Sequence, residues 1–293
     1  MQADCEKAPQ AELSVQVQRY DVRRNKEISI EVYAAGAGPV LVLLPSLGRG
    51  ATDMLELAEP LVDAGYRVLC PQPRGNGRST GPIENKTLHD WASDIAAVIE
   101  HSGQAPVVIV GHAHGNWIAR TVASDYPRLV RALVLLAGSA GKVPRGVDAM
   151  PIPPEIRAKI EQCGDTSLPD DVRIESLKAV FFAPGNDPTS WLTGWNTDLM
   201  TMQTLAQKRT PVDDFFAGGG KPIFNVQAEF DVIAPQRYAN VLSEYLGERV
   251  KNHTIRNAAH ALLPERLGEV ADAIIGYLRD RSEVTERGVT PVS

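Results

Sequence analysis

Val107-Val108-Ile109-Val110-Gly111-His112-Ala113-His114-Gly115-Asn116-Trp117 is the stretch that decides the fold. Its first four residues form an apolar run suited to a strand buried on both faces. The run ends in Gly-x-Ala-x-Gly, and a helical pattern over Gly115–Asp125 follows. Glycines two before and two after a central residue permit a sharp strand-to-helix turn. The central residue, here Ala113, then projects at the end of the sheet. The first N–H groups of the helix behind it lack partners inside the helix and carry partial positive charge. Such a turn is a site for a developing oxyanion.

The same rhythm extends outward in both directions. Val40–Leu44, Arg67–Cys70, Ala132–Leu136 and Ile223–Val226 are further short apolar runs. Helical patterns lie over Asp53–Ala64 and Thr87–His101. Strand and helix in alternation predict a parallel sheet with helices on both sides. Upstream, Val15–Val22 and Ile28–Ala34 alternate apolar and polar residues around Asn25, which reads as an antiparallel hairpin. Downstream, a strand over Val250–Ile255 is set between helices over Gln236–Leu246 and Leu267–Asp280. The expected fold class is α/β, with a mostly parallel eight-stranded sheet. The rhythm breaks between Gly138 and Lys221, where prolines cluster and Trp191 and Trp195 occur. The expected organisation is a polar tail over 1–14, a core over 15–137 and 222–282, a mostly helical insertion over 138–221, and a frayed tail over 283–293.

Composition excludes several functions. The 293 residues suit one large domain or two small ones and carry a formal net charge of −6, with no basic field for a nucleic acid. The longest apolar run, around Ala132–Ala137, is too short to span a membrane. Cys5, Cys70 and Cys163 lie far apart without metal-ligand spacing, and Cys70 reads as core. Met1–Glu12 lacks a signal-peptide core, which points to the cytoplasm, or to a secreted or periplasmic protein whose signal has been removed. No dinucleotide fingerprint or phosphate loop is present, so no cofactor is expected. No pattern fixes an oligomeric state.

Ligands in open parallel sheets bind at the carboxyl ends of the strands. Four turns there carry chemistry. The first is the Ala113 turn. The second, Pro45-Ser46-Leu47-Gly48-Arg49-Gly50, can aim a backbone N–H at it, so the N–H groups of Leu47 and His114 form the expected oxyanion pair. The third places Asp231 just past a buried strand, and the fourth places His260 before the last helix. His112 is expected to pack beneath the turn. A metal site from His112, His114 and His260 is not expected, because the first two point in different directions and a fourth ligand is missing.

From about Ile28 to Leu278 the chain resembles the α/β-hydrolase superfamily. Carrying the likeness are the elbow, the later acid and histidine in that order, the insertion, and Pro73-Arg74-Gly75-Asn76-Gly77-Arg78-Ser79, similar to the family's Arg-Gly-x-Gly-x-Ser turn. The resemblance implies His260 as base, Asp231 as its orienter, Leu47 and His114 as oxyanion donors, and 138–221 as a cap over the pocket. The chain departs from the pattern at Ala113, where the family places serine, aspartate or cysteine, and at Ser46, where histidine is common. Alanine has no lone pair to give, so the acyl-enzyme route cannot pass through Ala113. Three accounts stay open: an engineered serine-to-alanine change, a natural site that works without a protein nucleophile, and a fold that only binds. Ser46 is a candidate for a displaced nucleophile.

The leading expectation is an enzyme without a cofactor that hydrolyses an ester, lactone or related carbonyl compound, with the His260–Asp231 pair acting on water. The alternatives are a lyase or isomerase step on the same site, or sequestration of a small molecule. Trp191 and Trp195, with Phe181 and Phe182, imply an apolar pocket and a small, largely apolar carbonyl substrate.

Overall fold

Strands β3 (Val40–Leu44) and β5 (Val107–His112) show how the sheet is buried. Val42, Leu44, Val107 and Ile109 face one hydrophobic core, while Leu41, Leu43, Val108 and Val110 face another. Successive side chains of a strand point to opposite faces, so a continuous apolar run serves two cores at once. The computed structural model describes residues 14–148 and 152–287. The expected tail over 1–14 lies outside the described residues except for Ser14.

The remaining strands are β1 (Gln18–Arg23), β2 (Ser29–Ala35), β4 (Arg67–Pro71), β6 (Val130–Leu136), β7 (Ile223–Ala228) and β8 (Val250–Ile255). They form one eight-stranded sheet in the order β1-β2-β4-β3-β5-β6-β7-β8. The β1–β2 and β2–β4 pairs are antiparallel and the others parallel. This is the α/β-hydrolase fold. At the hairpin, the Asn25 carboxamide oxygen accepts from the N–H groups of Glu27 and Ile28, both at 2.8 Å. That local turn explains the position of the reversal.

Helices α1 (Leu55–Asp63), α2 (Leu88–Ser102) and α3 (His114–Asp125) connect the early strands. Between β6 and β7 lie α4 (Pro154–Gly164), α5 (Asp170–Val180), α6 (Thr197–Arg209) and α7 (Val212–Phe215). The single helix expected over Gln236–Leu246 is two short ones, α8 (Gln236–Ala239) and α9 (Val241–Leu246). The last, α10 (Leu263–Arg287), contains a non-helical residue at Arg266. Its helix proper therefore begins at Leu267, as the sequence suggests, but it runs past Ser282. The expected tail over 283–293 is thus helical to Arg287, in a stretch rich in helix-forming Glu and Arg. No helix among the described residues is long and apolar enough to cross a membrane.

The Arg74–Ser79 turn is part of the scaffold. Arg74 is buried, with Nε 2.6 Å from the Asp94 carboxylate of α2 and Nη1 2.9 Å from the Pro82 carbonyl. The Ser79 hydroxyl donates to the Gln72 carbonyl at 2.8 Å and accepts from the Glu31 N–H at 2.9 Å, so it joins β2 to the end of β4.

Candidate active site

Ala113 sits between β5 and α3 with φ 48° and ψ −108°, a conformation that non-glycine residues rarely adopt. Its neighbours force that geometry. A Cβ at Gly111 would overlap the backbone of Gly115 and Asn116. One at Gly115 would lie 2.5 Å from the Leu44 carbonyl oxygen and 2.8 Å from that of Pro45. The strand and helix meet too closely for either position to carry a side chain. The Ala113 N–H donates to the Leu136 carbonyl at 2.9 Å, and its own carbonyl accepts from the backbone and side-chain nitrogens of Asn116 at 3.1 and 2.5 Å.

Asp231 follows β7 and is buried. One carboxylate oxygen accepts from the N–H groups of Ile233 and Ala234, at 2.8 and 2.7 Å. The other is 2.8 Å from Nδ1 of His260. That contact places the ring proton on Nδ1, because the carboxylate can only accept. The remaining nitrogen, Nε2, has no partner among the described residues, and His260 lines a cavity of about 260 Å³. The His260 loop is held by its neighbours: the Ala259 N–H donates to Glu265 Oε2 at 2.7 Å and the Ala261 N–H to the Phe181 carbonyl at 2.8 Å. Glu265 Oε1 accepts in turn from the N–H of Ala183 at 2.6 Å and the Asn186 amide at 2.7 Å.

The two histidines beside Ala113 differ in what they touch. His112 is buried, and its Nε2–H donates to the His260 carbonyl at 2.8 Å. Burial, with His260 close by, pushes its pKa down to about 4. His114 Nδ1 accepts from the Gln207 carboxamide nitrogen at 2.6 Å, and burial pushes this ring down to about 3. Both rings are therefore neutral at pH 7. Among the described residues, no group of three or more His, Cys, Asp or Glu side chains is disposed to hold a metal.

The cavity brings together Ala113, Leu47, Ser46, His114, His260 and Trp195. The N–H groups of Leu47 and His114 have no acceptor among the described residues. The Ser46 hydroxyl is likewise without a partner there, and the residue is 5% exposed. Trp191 is not on the cavity wall. It packs behind it against Phe181 and Phe182, with centroids 5.1 and 5.8 Å away. The Arg49 guanidinium lies against both Trp191 and Trp195, 4.7 and 4.8 Å from their rings, and bonds Asp53 and the Thr193 carbonyl at 2.5 and 2.7 Å. One buried cation thus lies against both rings, although Trp195 alone reaches the cavity.

Sequence reasoning missed Arg49, Gln203, Gln207 and Glu265. Gln203 and Gln207 lie four residues apart, hence on one helical face, but the sequence does not show that this face meets the Leu47 and Ala113 turns.

A family model described as alpha/beta hydrolase fold matches residues 39–157. The human mitochondrial palmitoyl-protein thioesterase is 24% identical over 189 residues, covering 59% of this chain and 61% of that protein. The 2-(acetamidomethylene)succinate hydrolase of Mesorhizobium japonicum is 30% identical over 121 residues, covering 40% of this chain and 41% of that protein. Both matches thus span less than two thirds of the relative's own length. An esterase from Exiguobacterium antarcticum superposes with a TM-score of 0.73 at 19% identity, over 88% of this chain and 98% of that one. The chain has the α/β-hydrolase fold, and parts of it are similar to that family's model and to these hydrolases.

Proposed function

We propose that this protein hydrolyses a small, largely apolar ester, lactone or related carbonyl compound without a protein nucleophile. The observation that carries the reading is the buried His260–Asp231 pair, joined at 2.8 Å, on the same cavity as Ala113 and two N–H groups free to bind an oxyanion. The segment over 138–221 acts as a cap, since Phe181, Trp195 and Met200 supply apolar cavity wall.

His260 Nε2 takes a proton from water as its oxygen attacks the substrate carbonyl carbon. Asp231 steadies the resulting imidazolium, and its two backbone hydrogen bonds keep it aimed. The carbonyl electron pair moves onto oxygen, where the Leu47 and His114 N–H groups receive it. Collapse of the tetrahedral species expels the alcohol oxygen, which His260 protonates. The products are acid and alcohol. Ala113 offers no lone pair, so no acyl-enzyme forms at that position. The relatives named a palmitoyl-protein thioesterase and a 2-(acetamidomethylene)succinate hydrolase are hydrolases by name, which supports a hydrolytic reading.

The test is turnover of p-nitrophenyl acetate and butyrate by the native chain, Ala113→Ser and His260→Ala. The native chain is expected to turn over without a burst. His260→Ala should lose about 10²–10⁴-fold, the usual contribution of a general base. A silent native chain beside an Ala113→Ser variant that gains a burst would replace this reading with that of a disabled serine hydrolase. Turnover that survives His260→Ala would remove His260 as the base.

A further inference from the structure

We propose that α6 positions the oxyanion hole through Gln203 and Gln207, one helical turn apart. The proposal rests on the oxyanion roles given above to the Leu47 and His114 N–H groups. The two glutamines reach the two halves of that hole. Gln203 is 3% exposed, and its carboxamide oxygen accepts from the Gly48 N–H at 2.8 Å. Gln207 donates from its carboxamide nitrogen to His114 Nδ1 at 2.6 Å.

The first half depends on α6 more than the second does. Ser46 to Arg49 form a turn closed by the Arg49 N–H on the Ser46 carbonyl at 3.2 Å, and Leu47 and Gly48 are its central residues. Gly48 has φ 65°, and a Cβ there would come 2.7 Å from Cβ of Met200 on α6. Both backbone polar groups of Gly48 are taken from the same side: its N–H by Gln203, its carbonyl by the Asn196 N–H at 2.9 Å. Asn196 is the residue that caps α6. The turn is thus docked on the start and the body of α6 through both backbone polar groups of Gly48, and the direction of the adjacent Leu47 N–H follows. The His114 N–H belongs to the elbow, which its own glycines already fix, so Gln207 only steadies the ring. Gln203 and Gln207 are positioning residues and touch no reacting atom in this scheme.

The experiment pairs Gln203→Leu, Gln203→Glu and Gln207→Leu with crystal structures and p-nitrophenyl butyrate kinetics. Losing one oxyanion donor outright lowers kcat by about 10²–10³-fold, so a misaimed one is expected to lose roughly 10–100-fold in Gln203→Leu with KM little changed. Gln203→Glu keeps an acceptor for the Gly48 N–H and should restore most of kcat. Gln207→Leu should lose only a few-fold. In the Gln203→Leu crystal structure the Ser46–Arg49 turn should be displaced and the Leu47 N–H turned from the cavity. A turn that superposes on the native one overturns the proposal whatever the activity does. A displaced turn with unchanged kcat also overturns it. If the native chain is silent on the ester, the hydrolase reading falls on that result, and the crystal structure alone still decides whether Gln203 sets the turn.

Discussion

The Ala113 elbow and the His260 loop both meet the same cavity, and both contain non-glycine residues at positive φ: Ala113 at 48° in one, Asn257 at 50° and Leu262 at 44° in the other. They are held by opposite means. The elbow is shaped by side chains that are missing, at Gly111 and Gly115, where backbone passes backbone. The loop is shaped by carboxylates. Glu229 accepts from the Asn257 N–H at 2.9 Å, Glu265 from the Ala259 N–H at 2.7 Å, and Asp231 from His260 at 2.8 Å. One half of the site therefore depends on volume and the other on charge-assisted hydrogen bonds. A single added methyl should break the first, and removal of one acid should loosen the second.

Gly115→Ala is expected to have the largest effect. Its Cβ would meet the Leu44 and Pro45 carbonyl oxygens at 2.5 and 2.8 Å, both backbone atoms at the end of a central strand. No flexible side chain can yield, so strand and helix must part. Overpacking ordinarily costs about 1–3 kcal/mol, and a clash with backbone belongs at or above the top of that range. Urea unfolding of Gly115→Ala should show a loss of about 3 kcal/mol or more. A loss below about 1 kcal/mol would mean that the elbow is not held by steric exclusion.

Glu265→Ala attacks the other half. It removes the acceptor for the Ala183 N–H, the Asn186 amide and the Ala259 N–H. A buried donor left without a partner costs about 1–3 kcal/mol, and Asn186 is only half-buried, so the net loss should be roughly 2–3 kcal/mol. Glu265→Gln retains one acceptor oxygen and should recover about half. Equal stability of Glu265→Ala and the native protein would show that the loop is held by packing, and the contrast with the elbow would collapse.

The same contrast governs what the sequence could tell. The elbow was legible because its constraint is written as residue type at fixed spacing: Gly111 and Gly115 around Ala113, behind an apolar run. Asp231 and His260 were legible because each follows a strand or precedes a helix that periodicity reveals. Glu265 was not, although it lies close to His260, because an acid after Pro264 at a helix start reads as an ordinary first-turn charge. Nor did the pattern place Trp191 behind the cavity instead of on it. The contact of Trp191 with Arg49 exists only because 191–195 folds back onto the Ser46–Arg49 turn. Gln203 and Gln207 likewise carry meaning only once α6 is docked. Contacts between segments far apart in the chain leave no local period, which is why the core and its turns could be read, while the region between β6 and β7 could be read as a helical, aromatic insertion but not residue by residue.

The smallest expected effect compares the positive-φ residues themselves. Ala113 holds φ 48° and ψ −108°, and a residue kept in a sparsely populated conformation stores about 1–3 kcal/mol. Ala113→Gly releases that strain. Against the gain stand the greater freedom of glycine in the unfolded chain, about 0.4–1 kcal/mol, and the contacts of one methyl group on a cavity wall. The net should be a gain of up to about 1 kcal/mol. Asn257 is exposed, and asparagine tolerates the left-handed conformation, so there is less strain for Asn257→Gly to release. Its stability should stay within about 0.5 kcal/mol of the native value. Measured together by urea unfolding, the pair separates stored strain from a general preference for glycine. A gain at Ala113 alone means that the elbow is strained by its surroundings, as its glycine contacts imply. Equal gains at both would reflect only the left-handed backbone. A loss at Ala113 would mean that its methyl is packed well enough to outweigh the strain, and the elbow would then owe its shape to a side chain after all.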